Sequence, residues 1–209
     1  MTPLTAPAPY PHAGNASPCD KLRPMPLTWI TLKLGLDRAS PLLADHPDSP
    51  TLLRRLEQTG RVDAALRLAA HALPAREAVW WACRCAYYAG DSERRSALDA
   101  AAAEAAEAWV RQPGSARRAK AYAAAQRAQF QSAEALAALA AFWSGAQAKL
   151  SMRPEAAAAQ LCQSVEHAVR LAGYRGAPAA RPQRQRQFLA SARDIAAGGA
   201  GHISPANEA

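Results

Sequence analysis

Four residues near the start of one helix could carry chemistry: His71, Arg76, Glu77 and Trp80. A cation, an anion and a titratable imidazole beside an indole are residue types that build recognition patches on protein surfaces. We predict an interaction site here, a groove between helices that takes a segment of a partner. The competing interpretation is that Arg76 and Glu77 tie this helix end to a neighbouring element, as charged residues at helix ends often do.

Other motifs that would indicate catalysis do not stand out in the sequence. It has no glycine-rich phosphate loop, no Gly-x-Ser-x-Gly turn and no His, Cys and carboxylate grouping with the spacing of a metal site. We therefore expect no catalytic residue, no cofactor and no bound metal. An enzyme is the weaker expectation, and Glu166 and His167 are predicted to be solvated rather than paired for catalysis.

The four cysteines also indicate structure rather than chemistry. Cys83 and Cys85 are two residues apart and point to opposite sides of a helix, and Cys19 and Cys162 lie far from them in sequence. We interpret them as reduced, small core residues. His71 has no second metal-type residue at i+3 or i+4, which favours a structural histidine over a metal ligand.

These residues are positioned by a helix that runs from Pro74 to about Gly90. Pro74 suits a first helical position, and Glu77 lies in the first turn, where the helix dipole favours an anion. Behind them the sequence is apolar on nearly every side, with Trp80, Trp81 and two tyrosines. Such a helix must be covered on most sides, so we predict that it forms the centre of the core.

The rest of the chain predicts an all-α fold, a single Ala-rich bundle of about seven helices. Capping residues, Pro-Gly breaks and apolar stripes place helix starts at Ser49, about residue 62, residues 91–92, Ser115, Pro154 and Arg184. Large side chains are scarce among the alanines. We therefore expect Trp80, Trp81, Trp109 and Trp143 to converge on the core, and Trp81→Ala to cost about 3–5 kcal/mol of unfolding free energy.

Three regions divide the chain. Residues 1–26 are rich in proline and are predicted to be a disordered leader, residues 27–199 form the helical domain, and residues 200–209 are a disordered tail. Residues 27–34 contain β-branched and aromatic residues in partial alternation. We expect a short strand or an extended segment that lies on the bundle.

The formal net charge of +8 invites a nucleic-acid interpretation, but the basic residues are scattered. They become dense only at residues 181–186, and a solvated arginine-rich face explains them more simply. No run reaches the length of a membrane span, and the prolines near the N-terminus interrupt any secretory signal. The chain is predicted to be cytoplasmic and without a membrane span, and a nucleic-acid partner is the weaker of the two expectations for its partner.

A family resemblance becomes specific at residues 70–83. The sequence Ala-His-Ala-Leu-Pro followed by Arg-Glu-Ala-Val-Trp-Trp-Ala-Cys resembles the signature of a bacterial helical family of unknown function, and residues 108–113, 140–145 and 188–196 agree with it. The resemblance covers residues 37–199. It departs from the family pattern in the proline-rich leader and at residues 191–193, where a Gly-Leu pair is common. It implies a cytoplasmic helical protein with no assigned catalytic residue, associated with type VI secretion accessory genes.

Two functional classes follow. The first is a non-enzymatic accessory or adaptor protein that acts through protein contacts, with a component or effector of a secretion apparatus as its partner. The second is a nucleic-acid-associated protein that uses its positive charge. Salt separates them, because phosphate binding weakens steeply with added salt and an apolar protein interface does not.

Overall fold

A computed structural model describes residues 21–90, 95–145 and 153–203. Within these ranges every regular element is helical, which confirms the all-α bundle, although there are nine α-helices rather than about seven. They are α1 (Leu27–Leu34), α2 (Ser49–Gln58), α3 (Val62–Ala72), α4 (Ala75–Ala89), α5 (Ala97–Arg111), α6 (Ser115–Arg127), α7 (Ala133–Trp143), α8 (Pro154–Tyr174) and α9 (Arg181–Ala196). Two short 3-10 turns, Pro41–Leu43 and Pro178–Ala180, complete the set.

Helix α4 lies at the centre of the bundle. It packs against α3, α5, α7, α8 and α9, and residues 78–86 are all buried. Trp81 has no exposed surface, and its Nε1 donates a hydrogen bond to the Phe188 carbonyl at 2.9 Å. This bond satisfies the one polar atom of the indole, so α4 and α9 are joined by packing and by a buried hydrogen bond.

Three of the four tryptophans that were predicted to converge on the core are buried. Trp80, Trp81 and Trp109 are at most 3% exposed, whereas Trp143 is half-buried at the end of α7. Between them the helices meet through alanines, and α7 alone buries six. Small side chains let the helix backbones approach closely, and the tryptophans fill the larger gaps.

The segment at residues 27–34 is an α-helix, so the expectation of a strand or extended segment is wrong. Ile30 and Leu34 are one turn apart and both are buried, which gives the segment a helical apolar stripe. Gly35 follows with a φ of 61°, the left-handed conformation that ends helices. Packing against the domain therefore overrides the preference of β-branched residues for strands.

Several helix starts differ from the prediction by a few residues. Asp48, not Ser49, caps α2, because its side chain accepts a hydrogen bond from the Thr51 amide at 2.9 Å. Helix α5 is capped by Ser96, and the predicted cap at residues 91–92 lies outside the described residues. Ser115 is the first residue of α6 rather than its cap, and α9 begins at Arg181 instead of Arg184.

Both ends of the described chain pack on the domain. Leu22, which the prediction placed in the leader, is buried, and the Arg23 amide donates to the Ala72 carbonyl at 2.8 Å. Gly201, placed in the predicted tail, is also buried, and its amide donates to Asp194 at 2.7 Å. The packed domain therefore extends beyond residues 27–199 at both ends; residues 1–20 and 204–209 lie outside the described residues.

No helix in the described part of the chain is long and apolar enough to cross a bilayer.

Candidate functional site

The four predicted interaction residues lie at the start of α4 and just before it, and each is held by a different part of the chain. Arg76 Nε donates to the Val110 carbonyl at 2.6 Å, and Glu77 pairs with Lys21 at 3.3 Å. Trp80 Nε1 donates to the Ala200 carbonyl at 2.9 Å. The segments before α1 and after α9 therefore occupy the place where a groove was expected, and the geometry fits the competing interpretation of a tied helix end.

The C-terminal segment is fixed mainly by hydrogen bonds to α4 and α9. Arg84, which is only 8% exposed, donates through Nε to the Gly201 carbonyl at 3.2 Å. Ser191 donates to the same carbonyl at 2.8 Å. A Cβ at Gly201 would lie 2.5 Å from the Ile195 side chain, and its φ is 68°, so both space and conformation require glycine.

His71 belongs to a separate cluster that sequence reasoning missed. Its Nε2 lies 3.4 Å from Glu166 Oε2 on α8, and Arg67 Nε donates to the other carboxylate oxygen at 2.8 Å. The Trp29 ring of α1 covers the imidazole with the ring centroids 4.6 Å apart. Glu166 was predicted to be solvated; it is instead half-buried and paired, which corrects that prediction.

The charges of this cluster stabilise one another. Burial raises the pKa of Glu166, but hydrogen bonds from His71 and Arg67 outweigh it and lower that pKa to about 2. Burial lowers the pKa of His71, but Cys162 and Glu166 raise it more, so the net shift is upward. An ionised carboxylate shared by the Arg67 guanidinium and the His71 imidazole joins α3 to α8, which is a structural role.

Cys162 is close enough to His71 to raise the pKa of the imidazole, and it lies one helical turn before Glu166. The order Cys, His and Glu is the residue set of a nucleophilic triad. The thiol is only 7% exposed, however, and the cleft of about 240 Å³ beside Glu166 is lined by residues of α3, α8 and α9 without Cys162 or His71. A substrate therefore has no described route to this sulfur.

The other described thiols are even less suited to act as nucleophiles. Burial raises the pKa of Cys83 and of Cys85 well above the usual value, so both stay protonated. Among the residues that the structure describes, no three His, Cys, Asp or Glu side chains are grouped to hold a metal ion. Cys19 lies outside the described residues.

A second buried charge cluster lies at the start of α7. Glu134 is 1% exposed and accepts two hydrogen bonds from Arg175, at 2.9 and 2.6 Å. Arg95 approaches the same carboxylate at 3.4 Å. Burial by itself disfavours a charge in the interior, and the two guanidinium groups compensate it. This cluster fixes the start of α5 and the end of α8 to α7.

One exposed surface takes no part in the hydrogen bonds and ion pairs described above. We call it the α6–α7 face, and its members are Arg118, Lys120, Tyr122 and Arg127 of α6 and Phe142 of α7. Helix α6 packs mainly on α5 and α7, so its remaining side faces outward. Residues 115–127 include four basic side chains and no acidic one.

Aromatic rings line the side of α6 that faces α7. Tyr122 is 36% exposed, and its ring centroid lies 4.5 Å from that of Phe142 and 5.9 Å from that of Phe130. Gln129 and Phe130 both have positive φ, 55° and 58°, a conformation that costs non-glycine residues about 1–2 kcal/mol each. The connection from α6 to α7 is thus held in an unfavourable backbone conformation at the point where Phe130 meets Tyr122.

The sequence did carry a signal for this face, namely the run of basic residues in α6 around a single tyrosine. A solvated arginine-rich surface is the simpler interpretation of those basic residues from sequence, and the tryptophan-rich start of α4 resembles a recognition site more strongly. Phe142 could not be assigned from sequence, since its neighbour Tyr122 lies on a different helix.

Comparison with known families and structures gave one match. The profile of a family described as "Family of unknown function (DUF6931)" matches residues 52–196, more than half of the chain. Searches of curated proteins and of solved structures found no match.

Proposed function

The chain belongs to the DUF6931 family of unknown function, and from that premise we propose that it is a non-enzymatic accessory or adaptor protein that works by binding another protein. Its working surface is the α6–α7 face. The partner is a component or effector of a secretion apparatus, of the type VI class that the resemblance of its sequence implies, and the protein acts in the cytoplasm.

The observation that carries this proposal is a group of aromatic rings around the partly exposed Tyr122. Tyr174 is more exposed, at 56%, but its ring is stacked on the Arg181 guanidinium at 4.0 Å and is not grouped with other rings among the described residues. Tyr122 is the only aromatic residue of α6, and it is held against Phe142 and Phe130 rather than directed into the core. Exposed aromatic residues next to arginine are the residue types enriched where proteins bind each other. By contrast, the buried charge clusters at Glu134 and Glu166 join helices of the same chain.

A nucleic-acid partner is the second candidate, and the charge of α6 favours it. Arg118, Lys120 and Arg127 have no hydrogen bond or ion pair within the described residues, so they are available to phosphate groups. The aromatic rings favour a protein instead, because Phe130 and Phe142 both pack against the Tyr122 ring, whose faces are therefore less available for stacking on bases.

The test is affinity purification of the tagged full-length protein from its native cell, with and without nuclease. We expect a protein that is recovered with the wild type and with the control Arg54→Ala, and that is lost with Tyr122→Ala. Arg54 is an exposed arginine on α2.

Two results would overturn the proposal. One is a partner protein that is still recovered with Tyr122→Ala but is lost with Arg76→Ala, which would place the binding site at the start of α4. The other is recovery that depends on nucleic acid and disappears after nuclease treatment.

A further inference from the structure

The outer side of α6 has a pattern that identifies the chemistry of a partner. Helical geometry places Ala116, Ala119 and Ala123 on the side opposite the buried Ala121, Ala124 and Ala125, and all three are exposed. Arg118 and Tyr122 flank this strip towards α7. On the other flank lie Lys120 and Arg127, so a short strip of three alanines runs between two basic edges, and the exposed Gln126 follows it on the same side of α6.

The strip has the size and shape for a helix. Along the helix axis the strip from Ala116 to Ala123 rises about 10 Å, or roughly two turns, and its basic edges from Arg118 to Arg127 rise about 14 Å, or roughly two and a half turns. Alanine methyl groups allow a neighbouring helix to approach closely, within the usual 8–10 Å between axes. An extended phosphate chain would use the basic edges but would leave the three methyl groups without an apolar partner.

Helix α6 supplies no acidic residue to compensate the charge of either edge. Arg118 lies flat against the end of α7, where a Cβ added to Gly145 would be 2.6 Å from its guanidinium carbon, so its position is constrained. Arg127 lines an open cleft with Asp99, the one acidic residue there, while α6 itself has no acidic residue. Since like charges repel and opposite charges attract across an interface, a partner must present acidic side chains on both sides of its apolar strip.

We propose that the α6–α7 face binds an amphipathic helix of a partner protein whose apolar strip is bordered by Glu or Asp residues. This inference rests on the proposed function and specifies its partner. The apolar strip of that helix covers the three alanines and Tyr122. Its carboxylates pair with Arg118 on one edge and with Lys120 and Arg127 on the other.

A titration with defined peptides tests the proposal on the full-length protein. The probe is a labelled amphipathic helical peptide of roughly 18 residues, about 27 Å long, with Glu residues bordering a Leu and Ala strip. The matched probe has Gln in place of every Glu. Fluorescence anisotropy at moderate salt gives the dissociation constants, and single-stranded oligothymidine is titrated in parallel.

We expect the Glu peptide to bind and the Gln peptide to bind about tenfold more weakly. The double variant Arg118→Ala/Lys120→Ala should weaken the Glu peptide by about fivefold to tenfold, because each exposed charge pair contributes modestly. The control Arg54→Ala/Arg186→Ala removes two other exposed arginines and should leave the dissociation constant unchanged. Circular dichroism and thermal melting establish that each variant is folded.

The opposing results are distinct. Equal binding of the Glu and Gln peptides, equal weakening by the control variant, or no binding of the Glu peptide would each overturn the acidic-helix proposal. The Tyr122→Ala purification would still decide the proposed function by itself. Tighter binding of oligothymidine than of the Glu peptide, lost in the Arg118→Ala/Lys120→Ala variant, would overturn both.

Discussion

Replacing Glu134 with Gln should destabilise the protein strongly although it changes the side-chain volume very little. The carboxylate is 1% exposed and accepts two hydrogen bonds from Arg175, with Arg95 at 3.4 Å. Glutamine can accept from one guanidinium group but removes the negative charge from between two cations. Breaking one partner out of a buried ion pair costs about 3–5 kcal/mol. Because the Arg175 and Arg95 side chains are 29% and 18% exposed, water solvates them in part, and we expect a loss near the lower value, about 3 kcal/mol.

Urea unfolding followed by circular dichroism measures this loss. For a domain of this size about 3 kcal/mol corresponds to a fall in melting temperature of roughly 6–12 °C. The matched control is Glu155→Gln on the exposed start of α8, which should stay within about 0.5 kcal/mol of the wild type. A loss below about 1 kcal/mol for Glu134→Gln would refute the reasoning, since it would mean that the two arginines do not need this charge.

Three further changes test other parts of the structure. Folding lowers the pKa of Glu166 to about 2, so its contribution to stability is present above about pH 5 and is lost as the pH falls through 2. The pKa of His71 is raised from 6.5, so the contribution of the protonated imidazole is present below that pH and is lost as the pH rises through the raised value. The difference in unfolding free energy between the wild type and Glu166→Gln, measured in urea, should therefore be largest near pH 5–6.5. A difference that does not change with pH would contradict a role for the ionised Glu166 carboxylate in stability. Trp81→Ala should cost about 3–5 kcal/mol in the same assay, because it removes a fully buried indole, and less than about 1 kcal/mol would place this residue outside the core. Gln129→Gly should raise the unfolding free energy by about 1 kcal/mol by relieving a φ of 55°, and any decrease would show that the turn is not strained.

The sequence predicted helices well where local signals agree. Proline and capping residues at the start of α2, α4 and α8, together with apolar residues at helical spacing, placed these elements to within one or two residues. The prediction from sequence was wrong at α1. There Thr28, Ile30 and Thr31 favour a strand, but burial of Ile30 and Leu34 against the domain stabilises a helix. The Gly35 stop signal was the one local indication of the correct answer.

The candidate site was less accessible from sequence, because its geometry depends on distant parts of the chain. Glu166 meets His71 across 95 residues, and Ala200 reaches Trp80 across 120 residues. No local pattern encodes such pairings, so the start of α4 resembled an open groove when it is in fact covered by both terminal segments. The basic residues of α6 are visible in the sequence. The contact between Tyr122 and Phe142 is not, because it depends on how α6 packs on α7.

Site-specific photocrosslinking in the native cell tests the central claim most directly. A photoreactive phenylalanine at Ala123, on the exposed strip of α6, should give a crosslink to a partner protein, whereas the same residue at Gln163, exposed on α8, should give none. Crosslinks from position 163 without any from position 123, or crosslinks from position 123 only to nucleic acid, would contradict the account that this protein works through the α6–α7 face.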